Sequence, residues 1–215
     1  MDNGKRLPVC KALLHFNTNK DEQVLVKVGV SAVDIAGARK NVESEIPGWD
    51  FEKVRKDART AWNEYLSKID ITTSDKEDKA IFYTALYHTG ISPNLFTDAD
   101  GRYLGMDLEV HQGDTLNPIY TVFSLWDTFR ALHPLMTIID PDLNNHFINS
   151  LIKKHQEGGI YPMWDLASNY TGTMIGYHAV PVIVDAYMKG YRNFDTKEAY
   201  KACLLYTSDA ADDKA

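Results

Sequence analysis

Residues 120–130 read YTVFSLWDTFR, residues 158–170 read GGIYPMWDLASNY, and residues 174–187 read MIGYHAVPVIVDAY. In the first two stretches a tryptophan directly precedes an aspartate, as Trp126-Asp127 and Trp164-Asp165, and Arg130 follows the first pair. An indole offers a flat apolar face, while carboxylate and guanidinium groups hydrogen-bond to hydroxyls, so this pattern is compatible with sugar binding. The same pairs also occur as a core tryptophan beside a helix-capping carboxylate, and composition does not separate the two interpretations.

Longer blocks around these pairs resemble a known family. The blocks FSLWDTFRALHPL (residues 123–135) and MWDLASNYTGTMIGYHAVPVIVDAYMKG (residues 163–190) are similar to the catalytic domain of glycoside hydrolase family 92. The similarity extends from about residue 13 to residue 202. It implies a calcium-dependent, exo-acting α-mannosidase, mostly α-1,2-specific and inverting, of bacteria that harvest mannose-containing N-glycans or mannan oligosaccharides. It also implies an N-terminal β-sandwich followed by an (α/α)6 barrel.

The length and the amino-acid composition are those of an ordinary globular domain. The chain has 215 residues, of which 44% are hydrophobic and 25% charged, as is typical of globular proteins. A net charge of -7 disfavours nucleic acid as a partner, and no segment approaches the roughly 20 apolar residues of a membrane span. The two cysteines, Cys10 and Cys203, exclude a disulfide framework, and neither stands in a pattern typical of a thiol enzyme.

The N-terminal region is predicted to contain a β-hairpin. Residues 11–16 and 23–30 read as strands, the second because its valines recur at a period of two. Since two strands alone are marginal in water, residues 1–30 are interpreted as the last strands of a β-sandwich domain.

A helical linker is predicted over residues 31–72. Its first helix spans residues 31–46, with Ser31 or Asp34 as the cap. Its second spans residues 50–69, with Asp50 as the cap, and carries apolar residues at helical spacing.

Residues 73–202 are interpreted as the first part of an (α/α)6 toroid, and the whole chain as mainly α. Ser74-x-x-Glu77 predicts a capped helix that ends near Gly90. Further helices are predicted over residues 124–138 with a kink at Pro134, from Asp140-Pro141 to Gly158-Gly159, and over residues 173–189. The last is apolar on nearly all faces and is predicted to be a buried inner helix. Alternation of amphipathic and apolar helices favours paired outer and inner helices.

The irregular stretch from residue 91 to residue 119 holds further polar candidates. Asp98-Ala-Asp-Gly101 lacks the remaining ligands of an EF-hand and is interpreted as a turn. Long loops are often functional, so four polar side chains of this stretch are predicted to face a cleft: Asp107, His111, Gln112 and Asp114. His178 is interpreted as a core histidine, seven residues from Asp185 and not paired with it.

The resemblance assigns site residues. It implies that Trp126, Asp127, Arg130, Trp164 and Asp165 bind substrate. Arg130 is expected to pair with Asp127, and Asp165 stands where the family usually has the longer Glu. The family's general acid lies in a Glu-Gly-Asn-Ala-Trp type segment and its base in a later Gly-Asn-Asp/Glu-Asp type segment, and neither string occurs in this chain. No catalytic residue is therefore assigned. The main calcium ligands are also expected in those segments, beyond residue 202.

The two ends of the chain bear on its origin. Residues 203–212 read CLLYTSDAAD and resemble the translation of an adapter used in sequencing libraries, so residues 203–215 are interpreted as an artefactual tail; the alternative is a genuine polar tail. No apolar stretch follows Met1, so a signal peptide is not predicted here. The chain is interpreted as an internal fragment of a periplasmic, cell-surface or secreted enzyme that is inactive alone. The alternatives are a non-catalytic helical carbohydrate- or protein-binding module and another (α/α) barrel glycosidase.

Overall fold

The fold is described by a computed structural model that covers residues 11–212, with side chains up to residue 205. It is mainly helical, as predicted. The helices are α1 Ile35–Glu45, α2 Phe51–Leu66, α3 Lys76–Thr89, α4 Leu125–Thr128, α5 Leu132–Ile139, α6 Pro141–Gly158, α7 Ala179–Met188 and α8 Thr196–Asp212.

Seven short strands lie between the helices. They are β1 Asn94–Leu95, β2 Arg102–Leu104, β3 Val110–Gln112, β4 Tyr120–Thr121, β5 Phe123–Ser124, β6 Trp164–Leu166 and β7 Asn169–Tyr170. All pairings are antiparallel: β1 with β4, β2 with β3, and β5-β6-β7 in that order. The three-stranded sheet matters most for the candidate site, because it brings the two Trp-Asp pairs together.

The apolar core surrounds α6. This helix contacts α5, α7, α8 and β4. Its buried residues Phe147, Ile148, Leu151 and Ile152 recur at helical spacing and face the other helices. Burial of such a stripe is the main stabilising contribution to the packing of a helix. The core continues through α5, α7 and α8, and the strand residue Phe123 also belongs to it.

Most of the helix ends that the sequence predicts are capped by the predicted residues. Asp34, Asp50 and Asp140 each accept a hydrogen bond from a backbone N–H of the first turn of α1, α2 and α6, which confirms these predicted caps. Gly159 ends α6 in a left-handed conformation with φ 84°, as predicted. The predicted Ser74 cap is wrong. Asp75 caps α3 instead, because its carboxylate reaches the N–H groups of the first turn directly.

The helix predicted over residues 124–138 is two helices. Helix α4 ends at Thr128 and α5 starts at Leu132. The predicted kink at Pro134 is wrong, because Pro134 lies in the first turn of α5. Backbone N–H groups of the first turn have no partner within the helix, so proline breaks no hydrogen bond there. The chain therefore changes direction between α4 and α5.

The predicted buried helix over residues 173–189 is shorter and only partly buried. Met174 and Gly176 have positive φ angles, so the backbone there is not helical, and α7 starts at Ala179. Its buried side chains face α5 and α6, whereas Val184 and Met188 are exposed. One face of α7 is therefore open in this structure.

The two predicted N-terminal strands are wrong for the described residues. Residues 11–30 contain no strand, and the valines of residues 24–30 are exposed. Alternation of valines alone does not supply a pairing partner, and a two-stranded hairpin gains too little to form by itself. The segment instead runs beside α1, where Lys27 Nζ donates to Ile46 O at 2.8 Å. Residues 1–10 of the predicted sandwich lie outside the described part.

Helix α1 docks on the turn before β2. Ser31 Oγ donates to Asp98 Oδ2 at 2.6 Å, and Asn41 Nδ2 donates to Asp98 Oδ1 at 2.7 Å. Arg102 adds an ion pair with Asp34 at 2.8 Å. The linker is thus tied to the region after residue 73, although the domain boundaries themselves stay predictions.

Helix α8 runs across the predicted boundary at residue 202. Cys203 is half-buried and packs against the core, whereas Leu204 and Leu205 are 50% and 44% exposed. The origin of residues 203–215 stays a prediction. In the described part of the chain, none of the helices has the length and apolar content needed to cross a membrane.

Candidate functional site

The two Trp-Asp pairs meet through one serine. Strands β5 and β6 pair so that Ser124 lies opposite Trp164. Trp164 Nε1 donates to Ser124 Oγ at 2.7 Å, and Ser124 Oγ donates to Asp127 Oδ2 at 2.5 Å. We call Ser124, Trp126, Asp127 and Trp164 the Ser124 cluster. A hydroxyl that accepts from an indole and donates to a carboxylate fixes the orientation of both.

Two members of this cluster are open to solvent. Trp126 is 41% exposed, and Asp127 is exposed beside it on the short helix α4. An accessible indole next to an oriented carboxylate combines an apolar face with a hydrogen-bond acceptor. These are the types of group that contact the ring face and the hydroxyls of a sugar.

Arg130 does not lie where it was predicted. In the described part of the chain it forms no ion pair with Asp127, and its guanidinium lies 5.2 Å from the ring centroid of Phe129. The expected pairing assumed a continuous helix, but α4 ends at Thr128. Arg130 is exposed and is not held to the cluster.

Asp165 faces the interior. It is 0% exposed, and its carboxylate accepts from Thr121 Oγ1 at 2.8 Å and from the Phe123 N–H at 3.2 Å. Lys154 Nζ lies 2.9 Å from the same carboxylate. Successive side chains of a strand point to opposite faces, so Trp164 is half-exposed while Asp165 is closed off. The geometry does not support the predicted contact of Asp165 with a ligand.

Sequence reasoning missed Ser124, Thr121 and Lys154. The helical spacing of α6 carried a signal for Lys154, since it follows Phe147 by seven residues and Leu151 by three and thus falls on the buried face. A lysine on an apolar face requires a buried partner. The partner itself was not predictable, because it depends on the β5–β6 pairing.

A separate cleft of about 560 Å³ lies between the β2–β3 hairpin, α6 and the start of α8. Two of the four polar residues predicted to face a cleft, Gln112 and Asp114, line it. Five side-chain amides are among the lining residues: Gln112, Asn117, Asn149, Gln156 and Asn193. None of the Ser124 cluster residues lines this cleft, so the two places are distinct.

Asp107 and His111 do not line the cleft. His111 Nε2 lies 2.9 Å from Asp107 Oδ2, and its ring stacks on Tyr103. The backbone N–H of Glu109 and then the His111 ring hold the pKa of Asp107 below its usual range. The two residues pair with each other across the β2–β3 turn.

His178 is half-buried at the start of α7, with its ring centroid 4.2 Å from that of Phe129. Asp185 pairs with Lys189 at 2.7 Å, so the structure confirms that His178 and Asp185 are not a dyad.

The described residues do not fit a calcium site. Among them, no group of three or more His, Cys, Asp or Glu side chains is arranged to hold a metal ion. The Asp98–Gly101 segment is a turn, as predicted, since the Gly101 N–H donates to Asp98 O at 2.8 Å. The Asp98 carboxylate is occupied by Ser31 and Asn41.

Comparison with known proteins gives a consistent result. The sequence model of the glycosyl hydrolase family 92 catalytic domain matches residues 37–214. The family GH92 α-mannosidase BT3965 from Bacteroides thetaiotaomicron aligns with a TM-score of 0.76 and 37% identity, over 80% of this chain and 23% of that one. The family GH92 inverting mannosidase BT2199 from the same organism aligns with a TM-score of 0.75 and 32% identity, over 81% and 24%.

A curated relative from Arthroderma benhamiae, an uncharacterized secreted glycosidase, is 37% identical over 112 aligned positions. The alignment covers 45% of this chain and 14% of the relative. The chain thus spans about a quarter or less of the length of the relatives that it matches. The family model covers most of the chain, including both Trp-Asp pairs, and on that ground the chain belongs to glycosyl hydrolase family 92.

Proposed function

We propose that this chain is part of the catalytic domain of an α-mannosidase, and that the Ser124 cluster binds the terminal mannose that the longer protein removes. The observation that carries the proposal is the Asp127 carboxylate, next in sequence to the exposed Trp126 and oriented by a serine that also holds Trp164. Similar structures support mannose as the sugar, since they are named as family GH92 mannosidases and one of them is a complex with mannoimidazole.

The chemistry of the cluster suits a pyranose ring. An indole face stacks on the C–H groups of one sugar face, and a carboxylate accepts hydrogen bonds from neighbouring hydroxyls. Asp127 is held by Ser124 through one oxygen, which leaves acceptor capacity for a ligand. Arg130 remains a candidate for contact with outer sugar units, since it is exposed and carries fixed N–H donors.

The cluster supplies binding rather than bond cleavage. An inverting glycosidase requires a carboxylic acid and a carboxylate about 6.5–9.5 Å apart. Asp165 is a poor candidate for either role, because it is buried and ion-paired with Lys154. We propose that the acid and base are supplied by Glu-Gly-Asn and Gly-Asn type segments, which this chain does not contain. The calcium ligands of the longer protein are proposed to lie outside the described residues as well.

The substrate class follows from the exo-acting mode. We propose α-1,2-linked mannose at the ends of N-glycans or mannan oligosaccharides as the substrate, cleaved with inversion. A periplasmic, cell-surface or secreted location is proposed for the whole protein. The secreted relative supports this placement.

The test uses a longer protein that contains this chain and the Glu-Gly-Asn type segment. α-1,2-Mannobiose is incubated with this protein, and the anomeric form of the released mannose is followed by NMR, with and without a chelator. We expect β-mannose as the first product, and we expect the Asp127→Asn variant to bind and cleave more weakly. α-Mannose as the first product, or release from α-glucobiose instead, would point to another (α/α) barrel glycosidase.

One observation favours a second candidate function, carbohydrate binding without catalysis. The cleft beside α6 is lined by five side-chain amides together with Tyr103 and Phe194, and amides both donate to and accept from hydroxyls. The two candidates differ in where a sugar binds. Binding that is lost in Asn149→Ala and unchanged in Asp127→Asn would favour the cleft over the Ser124 cluster.

A further inference from the structure

We infer that Lys154 and Asp165 are positioning residues that hold Val122 in a left-handed backbone conformation and thereby place the Ser124 cluster. This inference rests on the proposed function, since the cluster is taken as the mannose site. It replaces the predicted role of Asp165 as a direct ligand.

Val122 is the strained point. It joins β4 to β5 with φ 65°, and for a β-branched residue this region of φ is sterically unfavourable. Such conformations persist only where the surroundings enforce them, and they concentrate at functional sites. Ser124 follows Val122 by two residues, so the backbone turn at Val122 sets where the serine hydroxyl points.

The Asp165 carboxylate accepts hydrogen bonds from the residues on both sides of Val122. One carboxylate oxygen accepts from Thr121 Oγ1 at 2.8 Å, and the other accepts from the Phe123 N–H at 3.2 Å. The two bonds are made while the backbone at Val122 has a φ of 65°. The carboxylate therefore stabilises the conformation that the valine side chain disfavours.

Thr121 extends this network to a second strained turn. Its hydroxyl also accepts from the Ala167 N–H at 2.8 Å. Ala167 and Ser168 both have positive φ angles, 47° and 63°, and they form the tight turn between β6 and β7. Thr121 thus connects the Asp165 carboxylate with the turn that follows the strand carrying Trp164.

The ion pair with Lys154 keeps the Asp165 carboxylate in its buried position. Lys154 is 2% exposed, its partner is 0% exposed, and their charged groups are 2.9 Å apart. A buried charge without its partner is strongly unfavourable, so neither group can leave to contact a ligand. Since Lys154 lies on α6, the pair also anchors the sheet to the helix around which the core is built.

The Lys154–Asp165 pair therefore acts on the Ser124 cluster indirectly, through the backbone at Val122. Lys154 holds Asp165, Asp165 holds the residues beside Val122, and the resulting backbone path puts Ser124 opposite Trp164 and next to Asp127. The ion pair therefore positions the Ser124 cluster and does not itself contact the ligand. Its loss should be compensated by any change that removes the strain at Val122.

The test is a rescue experiment on the 215-residue chain. The double variant Lys154→Met, Asp165→Asn removes both charges together and so leaves no uncompensated one. Two quantities are followed by NMR: hydrogen exchange of the Trp164 indole N–H, and affinity for methyl α-mannoside. We expect exchange to quicken and affinity to fall, each by about tenfold, while far-ultraviolet circular dichroism stays unchanged.

Val122→Gly is then added to the double variant. It tests whether the ion pair acts by holding Val122, because glycine adopts this φ without strain. We expect the triple variant to recover most of the Trp164 protection and of the mannoside affinity. If the double variant behaves like the parent chain, or if glycine recovers neither quantity, the inference is wrong. Should the double variant not fold, Thr121→Ala, which removes one contact of Asp165 and leaves its ion pair intact, is compared with Thr121→Ala, Val122→Gly by the same criteria.

The two readouts keep this inference separate from the proposed function. If the parent chain does not bind methyl α-mannoside, the proposed function fails at this site. The exchange of the Trp164 indole still reports whether Lys154 and Asp165 hold Ser124 in place.

Discussion

Trp164 Nε1 donates a hydrogen bond to Ser124 Oγ at 2.7 Å, although the two residues are 40 positions apart in the chain. The pairing of β5 with β6 brings them together, and Asp127 completes the contact from the other side of the hydroxyl. Two motifs that look like repeats in the sequence thus have unequal roles. One aspartate stands in the open cluster, while the other is buried beneath it.

The first prediction concerns Ser124. Replacing it by alanine removes the group that orients both Asp127 and the Trp164 indole. We expect binding of methyl α-mannoside to weaken by about tenfold, the equivalent of one hydrogen bond to a charged group. The measurement is an NMR titration, and Thr128→Ala is the control, because among the described residues that hydroxyl donates only to the backbone carbonyl of Ser124. Equal affinity of Ser124→Ala and the parent chain would contradict the role of the serine.

The second prediction concerns Gly37. A Cβ at this position would overlap with Asp98 Oδ2 and lie 2.8 Å from Ser31 Oγ, and Asp98 is fixed by two hydrogen bonds. Alanine normally stabilises a helix relative to glycine. Here we expect Gly37→Ala to lower the free energy of unfolding by about 1–3 kcal/mol. The control is Gly48→Ala, where the nearest atom is 4.0 Å away, and urea unfolding gives the comparison.

Local chemistry made part of this fold predictable. The caps at Asp50, Asp140 and Gly159 depend on neighbours within one helical turn, so the sequence contains all the information they need. The predicted strands over residues 11–16 and 23–30 failed for the opposite reason. Strand pairing needs a partner elsewhere, and alternation of apolar residues does not specify one.

The candidate site was predictable in composition but not in arrangement. Trp126, Asp127 and Trp164 were predicted to bind substrate from their pattern and from the family resemblance, and that role stays a prediction. The opposite orientations of Trp164 and Asp165 follow from the strand alternation of β6, which was not predicted. The Lys154 partner of Asp165 needed the packing of α6 on the three-stranded sheet, which connects positions that local spacing cannot relate.

The third prediction concerns pH. His133 is 1% exposed against Phe123 and Phe147, and burial lowers its pKa from 6.5 to about 4. Between these values the unfolded chain takes up a proton that the folded chain does not. Stability should therefore be full above pH 6.5 and should fall, by about 3 kcal/mol, as the pH decreases to 4.

Unfolding of His133→Phe tests this, since phenylalanine keeps the ring shape without the titration. We expect its stability to be flatter than that of the parent chain between pH 6.5 and 4, whereas the exposed control His88→Gln should follow the parent. The aspartates with lowered pKa values, Asp34, Asp100, Asp107 and Asp114, contribute stability that is lost only below about pH 3.8. Identical slopes for His133→Phe and the parent would refute the prediction.

The fourth prediction is that the 215-residue chain does not hydrolyse mannosides. General acid and base each contribute typically about 10²–10⁴-fold, and the segments proposed above to carry them do not occur in this sequence. The chain is incubated with α-1,2-mannobiose and calcium, with a chelator control. Chelator-sensitive release of mannose would mean that a carboxylate of this chain, Asp127 first among them, has a catalytic role.

The most direct measurement of the central claim uses the four tryptophans of the chain. Their indole N–H signals are followed by NMR while methyl α-mannoside is added to the parent chain. Trp126 and Trp164 belong to the Ser124 cluster, whereas Trp49 lies beside Lys27 and Trp62 lines a different cavity, so the latter two serve as internal controls. Mannose binding at the cluster predicts saturable shifts of Trp126 and Trp164, constant signals for Trp49 and Trp62, and loss of the shifts in Asp127→Ala. Shifts confined to Trp49 or Trp62, no shifts at all, or shifts that persist unchanged in Asp127→Ala would contradict it.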